Sequence, residues 1–402
     1  MTLATPLAAD FPTLSREGLV YLDSAATAQT AEPVIEAMDA YYRTYRASIH
    51  RGVYPIAAEA TEAYEGARGR AAAFVGSTAG ETIFTRNATE AINLVAYSWG
   101  RANVAAGDLV VLTRMEHHSN IVPWQILCAE RGAELAYVGI DEEGRLRLSE
   151  LDALLARRPK LLAVVHVSNV LGTINPVADI VARAHAAGTV VMVDGTQAVP
   201  HLPVDVAALD ADFYAWTAHK AYGPTGIGVL HGRRALLEAM PPFLGGGHMI
   251  ASVGEFESRY ADPPTRFEAG TSAIAEAIGL GAACDYLDAI GMEAVRQHSQ
   301  DIVGYAVERL SSVDGLTLHG PSTLAERAAV CSFSLDGVHP HDVAEILARD
   351  GVCVRAGHHC AQVLMKTMGV HATTRASFAV HSTREEVDRL VEGLASVQRI
   401  FG

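Results

Sequence analysis

One lysine stands in a sequence setting that is unusual for a solvated cation. Lys220 follows the apolar run Phe213-Tyr-Ala-Trp-Thr-Ala-His, so it leaves a buried strand. Upstream, Asp194 ends another apolar strand, residues 190–193. A lysine amine can form an imine with an aldehyde cofactor, and a carboxylate can hold a pyridinium nitrogen. The pair indicates a pyridoxal phosphate enzyme; a surface lysine and an unrelated strand-terminal aspartate are the alternative.

Other polar residues follow predicted strands, beyond which the ligands of open parallel sheets lie. Thr89, at a helix start, could bind a phosphate together with backbone N–H groups, although an ordinary helix cap is the alternative. Asn169 and Gln197 also come just after strands. We therefore expect these side chains to surround one ligand.

Two adjacent histidines, His117 and His118, follow the strand at residues 109–112. They suggest a metal, but adjacent side chains point in different directions and no third ligand has suitable spacing. We expect no metal site, and one histidine stacked on a planar ring.

An arginine and a cysteine near the C-terminus complete the candidate functional residues. Arg375 starts an apolar strand, where its guanidinium could clamp a substrate carboxylate, although a structural role is the alternative. Cys360 follows Arg355-Ala-Gly-His-His and precedes a helical stretch, and positive neighbours and helix N-termini favour the thiolate. The other four cysteines lie in apolar surroundings that indicate packing. Cys360 is therefore the reactive candidate.

The elements that must position these residues alternate between strands and helices. The sequence predicts strands at residues 82–85, 109–112, 161–167 and 190–193, and helices at 33–42, 57–75, 88–99, 120–130 and 177–187. Because the strands are almost wholly apolar, we expect a mostly parallel sheet covered on both faces, in an α/β fold.

The pattern changes after Gly245. A helical stretch at residues 273–310, broken near Gly291, precedes strands at 328–335 and 352–354, a helix at 341–349 and a final helix from Thr383. We expect a smaller α+β domain of residues 1–20 and 291–402, and a large domain of residues 21–290.

Composition narrows the class of protein. The 402 residues are 50% hydrophobic and 19% charged, with a formal net charge of −15 and no basic block, which argues against nucleic acid and membrane as partners. No apolar run reaches the length of a membrane span. The first residues lack the features of a secretion signal, and the five cysteines show no paired spacing. We expect a cytoplasmic protein.

Taken together, these segments resemble a SufS-type cysteine desulfurase, a pyridoxal phosphate enzyme of the aminotransferase class V family. The resemblance runs nearly end to end, and Arg-x-Gly-His-His-Cys distinguishes this branch from the other desulfurases. The matching segments are Tyr21-Leu-Asp-Ser-Ala-Ala, His50-Arg-Gly, Thr89-Glu-Ala-Ile-Asn, Glu116-His-His-Ser-Asn, His166-Val-Ser-Asn, Asp194-Gly-Thr-Gln, His219-Lys-Ala-Tyr-Gly-Pro, Phe267-Glu-Ala-Gly-Thr, Arg355-Ala-Gly-His-His-Cys and Arg375-Ala-Ser.

The resemblance implies a role for each candidate residue. Lys220 would be the Schiff-base lysine, Asp194 would meet the pyridine nitrogen and His117 would stack on the ring. Cys360 would accept the sulfur. The remaining assignments are Gln197 at the ring hydroxyl, Thr89, Thr217, His219 and Thr271 of a second subunit at the phosphate, Arg375 and Asn169 at the substrate carboxylate, and His50 and Arg355 lining the pocket.

The resemblance also implies a fold-type I homodimer that converts L-cysteine to L-alanine and a Cys360 persulfide. An acceptor of the SufU or SufE type would take the sulfur for iron–sulfur cluster assembly; Ala361-Gln362 after the cysteine resembles members that use SufU. Some positions depart from the family pattern, such as Ala218, where many relatives have glycine. None of these departures touches the proposed chemistry.

Alternatives remain. A selenocysteine lyase on the same scaffold is the nearest, because selenolate leaves more readily and Cys360 could then be dispensable for one substrate. A kynureninase-like or epimerase reaction is a second alternative. The reactive-cysteine motif argues against it, because such a reaction needs no thiol nucleophile. A non-catalytic scaffold is a further alternative. It would be expected to lack Lys220, Asp194 or Arg375, and all three are present. The absence of GxGxxG after the first strand excludes a dinucleotide-binding oxidoreductase.

Overall fold

Strands and helices alternate over most of the chain. The structure, a computed structural model, describes residues 7–401. Its strands are β1 (Val20–Tyr21), β2 (Thr82–Thr85), β3 (Leu109–Thr113), β4 (Glu134–Val138), β5 (Leu161–Val165), β6 (Val190–Asp194), β7 (Phe213–Thr217), β8 (Gly228–Gly232), β9 (Ile250–Val253), β10 (Ser258–Tyr260), β11 (Leu316–His319), β12 (Val330–Leu335), β13 (Val352–Cys353), β14 (Arg355–Gly357) and β15 (Thr373–Ser377).

The predicted helices agree with the structure to within a few residues, except the one at 88–99. The helices of the structure are α1 (Glu32–Ala40), α2 (Pro55–Phe74), α3 (Ala88–Leu94), α4 (Arg101–Asn103), α5 (Val122–Arg131), α6 (Leu148–Leu155), α7 (Val177–Ala186), α8 (Arg234–Ala239), α9 (Ile274–Ile290), α10 (Met292–Ser311), α11 (Pro340–Arg349), α12 (Gln362–Met368) and α13 (Arg384–Phe401). Of these, α4, α6 and α8 were not predicted.

Seven strands form the central sheet, in the order β2-β8-β7-β6-β5-β3-β4. The pairings from β4 through β7 are parallel, and β8 is antiparallel to both β7 and β2. Both faces are buried, as predicted: Val111 packs into one hydrophobic cluster, while Val110 and Leu112 pack into the cluster on the other side. Strands β4 and β8 were not predicted, because β4 is partly exposed and glycines bound β8.

The topology brings several strand ends to one edge. Because β8 is antiparallel to both of its neighbours, β2 runs in the same direction as β7 and the other parallel strands. The carboxyl ends of β2, β3, β5, β6 and β7 therefore meet at one edge of the sheet, where ligands of such sheets bind.

A smaller antiparallel sheet, in the order β11-β12-β15-β14, carries the C-terminal part of the chain. Helices α10, α11 and α13 pack on it through a separate hydrophobic cluster. The N-terminal segment joins this region, because β1 pairs with β13 and Asp23 bridges to Ser377. The boundaries at 20/21 and 290/291 stay predictions, and residues 1–6 lie outside the described part.

One predicted helix differs in detail. The helix predicted at residues 88–99 is α3 followed by a π-helical turn, Val95–Gly100. The predicted break near Gly291 separates α9 from α10, and the φ of 86° at this glycine explains the break. Arg375, predicted to start a strand, instead lies in the middle of β15. Within residues 7–401, no helix is both long and apolar enough to cross a membrane.

A buried histidine marks the junction of the N-terminal segment with the C-terminal part of the chain. His381 is 1% exposed and packs 5.1 Å from the ring of Phe11, between ring centroids. Among the described residues, neither of its ring nitrogens has a hydrogen-bond partner. Burial, with a contribution from His298, lowers the pKa of His381 to about 4. The fold therefore holds this ring neutral.

We predict that His381 makes the fold acid-sensitive. Because its pKa falls from 6.5 in the unfolded chain to about 4 in the folded one, the unfolded chain binds more protons between these values, and stability falls as the pH falls. His381→Leu should remove about 2 kcal/mol of the loss between about pH 7 and about pH 5 in urea unfolding. The exposed His371→Leu is the control; equal pH slopes for wild type and His381→Leu would contradict the prediction.

Candidate active site

A cavity of about 250 Å³ opens at the carboxyl edge of the central sheet. It collects most of the residues that the sequence singled out, from both sheets. Those lining it are Thr89, His117, Asn169, Asp194, Gln197, Thr217, His219, Lys220, Arg355, Cys360 and Arg375.

Lys220 ends the short 3₁₀ turn that follows β7. The enclosure of its amine by protein lowers the pKa of Lys220 to about 8, and the guanidinium groups of Arg375 and Arg355 act in the same direction. The charges of Asp194 and Cys360 act in the opposite direction. A sizeable fraction of this amine is therefore unprotonated, and nucleophilic, near neutral pH.

Asp194 ends β6, the strand next to β7, and is 4% exposed. One of its carboxylate oxygens accepts a hydrogen bond from the backbone N–H of Thr196 at 3.0 Å. Gln197 follows on the same turn, and its amide Nε2 donates to the carbonyl of Ala25 at 2.8 Å. This turn thus presents a fixed carboxylate and a fixed amide to the cavity.

His117 lies on the turn after β3 and lines the cavity. Its Nδ1 accepts the backbone N–H of Ser119 at 3.0 Å. Burial and the nearby charge of Lys220 lower the pKa of His117 to about 3, so its ring is neutral over the physiological range. A neutral, fixed imidazole can stack on a planar ligand.

Its neighbour Glu116, which the sequence reasoning did not assign, anchors this turn in the core. Its carboxyl group accepts hydrogen bonds from the Val165 N–H at 2.9 Å, the Asn120 amide at 2.7 Å and the Thr113 hydroxyl. The Asn120 oxygen in turn accepts the indole N–H of Trp124 at 3.0 Å. Glu116 is wholly buried, and burial raises its pKa to about 8. The network ties the His117 turn to β5 and α5.

Two arginines of the smaller sheet face the same space. Arg375 on β15 pairs in register with Arg355 on β14. Arg375 is 1% exposed and donates to the Asp23 carboxylate at 3.0 Å and to the Asn169 carbonyl at 2.9 Å. Two cations side by side in a cavity suit a carboxylate ligand. Asp23 was not singled out, although it lies in one of the quoted segments.

Hydroxyl and imidazole groups line the end of the cavity near α3. Thr89 is hydrogen-bonded to Ser119 at 2.6 Å between hydroxyl oxygens, and His219 Nδ1 lies 3.2 Å from the Thr27 hydroxyl. Thr217 donates to the Ile227 carbonyl at 3.3 Å. These groups are suited to an oxyanion such as phosphate. Sequence reasoning missed Ser119, which the segment starting at Glu116 contains.

Cys360 lies on the loop between β14 and α12, partly exposed to the cavity. His359 and Cys360 have φ angles of 50° and 56°, a left-handed conformation that residues other than glycine seldom adopt. The Asn169 amide donates to the His359 carbonyl at 2.9 Å, and the His118 N–H donates to the Cys360 carbonyl at 2.8 Å. The loop is thus held against the large sheet.

Two predicted residues lie outside this cavity. His50 contacts the Glu65 carboxylate at 2.9 Å and stacks on His248 at 4.8 Å between ring centroids. Thr271 lines a second cavity with Tyr64. The contribution of Thr271 to the site of a second subunit stays a prediction. Among residues 7–401, no cluster of three or more histidine, cysteine or acidic side chains could hold a metal ion.

Comparisons with known proteins assign the family. A sequence profile described as aminotransferase class V matches residues 20–390. The chain belongs to the aminotransferase class-V family. A probable cysteine desulfurase of Halalkalibacterium halodurans is 49% identical over 397 residues, 98% of this chain and 97% of the relative. A cysteine desulfurase of Escherichia coli strain SE11 is 50% identical over 400 residues, 98% of each chain.

Comparison with solved structures supports the same family assignment. The apo cysteine desulfurase of Thermococcus onnurineus NA1 superimposes with a TM-score of 0.95 at 39% identity, over 99% of this chain and 100% of that one. The cysteine desulfurase CsdA of Escherichia coli gives a TM-score of 0.93 at 36% identity, over the full length of both chains. The predicted fold-type I architecture is confirmed, and so is the prediction of a pyridoxal phosphate enzyme of the cysteine desulfurase group.

The cavity itself fits pyridoxal phosphate. Among the described residues, three polar oxygens in the cavity are buried without a hydrogen-bond partner: Gln197 Oε1, Asn169 Oδ1 and the Thr196 hydroxyl. Buried polar atoms are rarely left unpaired, so their convergence beside Lys220 indicates a polar ligand. Pyridoxal phosphate offers a ring hydroxyl, a ring nitrogen and a phosphate to such groups.

We predict that Glu116→Ala destabilises the fold by about 3 kcal/mol, because it leaves the Val165 N–H and the Asn120 amide unpaired and opens a cavity. The free energy of unfolding measured in urea tests this. Glu130→Ala, which removes an exposed ion pair with Arg101, is the control and should change stability by less than about 1 kcal/mol. A Glu116→Ala protein as stable as the control would contradict the anchoring role.

We predict that covalent uptake of pyridoxal phosphate by the apoenzyme depends on the protonation of Lys220. Only the unprotonated amine reacts, so the rate should rise about tenfold per pH unit below a pKa of about 8 and level off above it. Visible absorbance follows the uptake. Arg355→Ala should move this profile to higher pH because it removes a positive neighbour. A flat profile between about pH 6 and about pH 9 would contradict the prediction, and Lys366→Ala is the control.

Proposed function

We propose that this chain removes sulfur from L-cysteine, releasing L-alanine and leaving a persulfide on Cys360. The observation that carries the proposal is that Lys220 and Cys360 line one cavity with Arg355 and Arg375. An amine for the cofactor, a clamp for a carboxylate and a thiol nucleophile are the three groups that this reaction requires. The names of the relatives, which cover nearly all of this chain, support the same reaction.

The chain would hold pyridoxal phosphate with residues from the central sheet. Lys220 Nζ would bind its aldehyde carbon, Asp194 its ring nitrogen, Gln197 its ring hydroxyl and His117 one face of the ring. Thr89, Thr217 and His219 would bind its phosphate, with Thr271 supplied by a second copy of the chain. Bound in this way, the cofactor supplies an electron-accepting ring that stabilises negative charge at the substrate Cα.

The residues of the chain then act on the substrate. Arg375, with Arg355 and Asn169, orients the carboxylate of L-cysteine. Once the substrate amine has displaced it from the aldehyde carbon, Lys220 Nζ would be free to take the Cα proton, which its lowered pKa of about 8 makes feasible near neutral pH. His117, whose ring stays neutral, is placed to help move protons on the face of the ring.

Cys360 completes the transfer of sulfur. Its thiolate sulfur attacks the substrate sulfur and forms the S–S bond, while the substrate Cβ–S bond breaks. The electron pair of the broken bond stays with the carbon, which gains a proton and becomes the methyl group of L-alanine. The sulfur remains on Cys360 as a persulfide for the acceptor.

The finer assignments belong to the same proposal. The Arg355-Ala-Gly-His-His-Cys segment favours the SufS-type branch, and Ala361-Gln362 favours an acceptor of the SufU type over the SufE type. We further propose a homodimer that serves iron–sulfur cluster assembly in the cytoplasm. All five cysteines are free thiols, as a reducing compartment requires.

We predict that incubation with L-cysteine adds about 32 Da, the mass of one sulfur atom, to the peptide that contains Cys360. Cys360→Ala should lower alanine formation at least about a hundredfold while the visible absorbance of the bound cofactor still responds to cysteine. Cys353→Ala, which removes a nearby cysteine outside the cavity, is the matched control and should keep wild-type turnover. Full turnover by Cys360→Ala would refute the proposal.

A further inference from the structure

His118 links the anchored turn after β3 to the loop that carries Cys360. Its backbone N–H donates to the Cys360 carbonyl at 2.8 Å. Its ring Nε2 accepts the backbone N–H of Gln362 at 3.1 Å. Gln362 is the first residue of α12, and the N–H groups of a first helical turn have no partner within the helix. One histidine thus holds the loop at two points, at Cys360 itself and at the start of the helix that follows.

The loop needs such support because its backbone is unfavourable in isolation. Left-handed φ angles at His359 and Cys360 cost about 1–2 kcal/mol for each residue. Such conformations persist when surrounding contacts over-determine them. Here the contacts come from Asn169, Thr373 and His118. The Thr373 hydroxyl is hydrogen-bonded to the His359 ring at 3.0 Å.

We propose that His118 is a positioning residue for sulfur transfer: its unprotonated Nε2 accepts the Gln362 N–H and thereby aims the Cys360 thiol into the cavity. The inference rests on the proposed function for its consequence in turnover, but its structural part does not. His118 itself does not line the cavity, so it acts through the loop.

The role requires a defined protonation state. A donor N–H faces Nε2, so a proton on that nitrogen would break the bond. The titratable groups facing the ring are His358, whose ring centroid lies 5.7 Å away, and His117 at 6.2 Å. Partial burial and the charge of His358 lower the pKa of His118, so the acceptor is present at neutral pH and is lost as the pH falls below that pKa.

Amide hydrogen exchange of the holoenzyme tests the inference on peptides spanning residues 358–365. At about pH 7.5, His118→Ala should exchange about fivefold faster than wild type there, whereas His118→Gln, whose side-chain oxygen can accept the same N–H, should stay within about twofold. As the pH is lowered through the pKa of His118, wild type should lose this protection and exchange faster than His118→Gln. The exposed His371→Ala is the control and should match wild type.

Turnover gives the second readout. His118→Ala should form the Cys360 persulfide about three- to tenfold more slowly, with unchanged cofactor absorbance and an affinity for cysteine within about twofold of wild type, and His118→Gln should restore the rate. Wild-type exchange in His118→Ala, or failure of His118→Gln to restore the protection, would overturn the inference. Persulfide missing from every protein would refute the proposed function alone, because the exchange experiment still tests His118.

Discussion

The cavity depends on one electrostatic constraint: an amine must lose its proton more readily than usual beside two guanidinium groups. Arg375 and Arg355 face the space that Lys220 enters, and their charges add to the effect of enclosure on its pKa. The same two cations attract a carboxylate. The attraction of a carboxylate and the lowered pKa of the amine therefore both depend on these arginines, and we expect a change to either arginine to alter both.

The constraint is met only if the two sheets are held together, because the amine and the arginines come from different sheets. Arg375 is almost wholly buried, so its charge requires partners, and it finds Asp23 near the N-terminus and the Asn169 carbonyl after β5. Removing a partner would leave a buried charge uncompensated. The cost of burying this guanidinium thus fixes the position of β15 relative to the central sheet.

Much of the site could be predicted because side chains at the ends of parallel strands converge. Asp194 and Lys220 end or follow adjacent strands, so their proximity follows from the sheet order alone. The sequence did not reveal the anchoring role of Glu116, because a glutamate in a turn usually faces solvent and only the three-dimensional contacts show its burial. Strand β8 escaped notice for a local reason, since glycines at both its ends carry no strand propensity.

The backbone at Cys360 could not be predicted either, and the reason bears on function. Local propensity disfavours two successive left-handed residues that are not glycine, so tertiary contacts must impose them. With about 1–2 kcal/mol of strain per residue and a hydrogen bond contributing about 1 kcal/mol, a few bonds hold the loop with little surplus. Under the proposed function, a thiol that reacts inside the cavity and then meets an acceptor outside it would gain from this balance. The loop would then be held firmly enough to aim the Cys360 sulfur and weakly enough to let it move toward the acceptor.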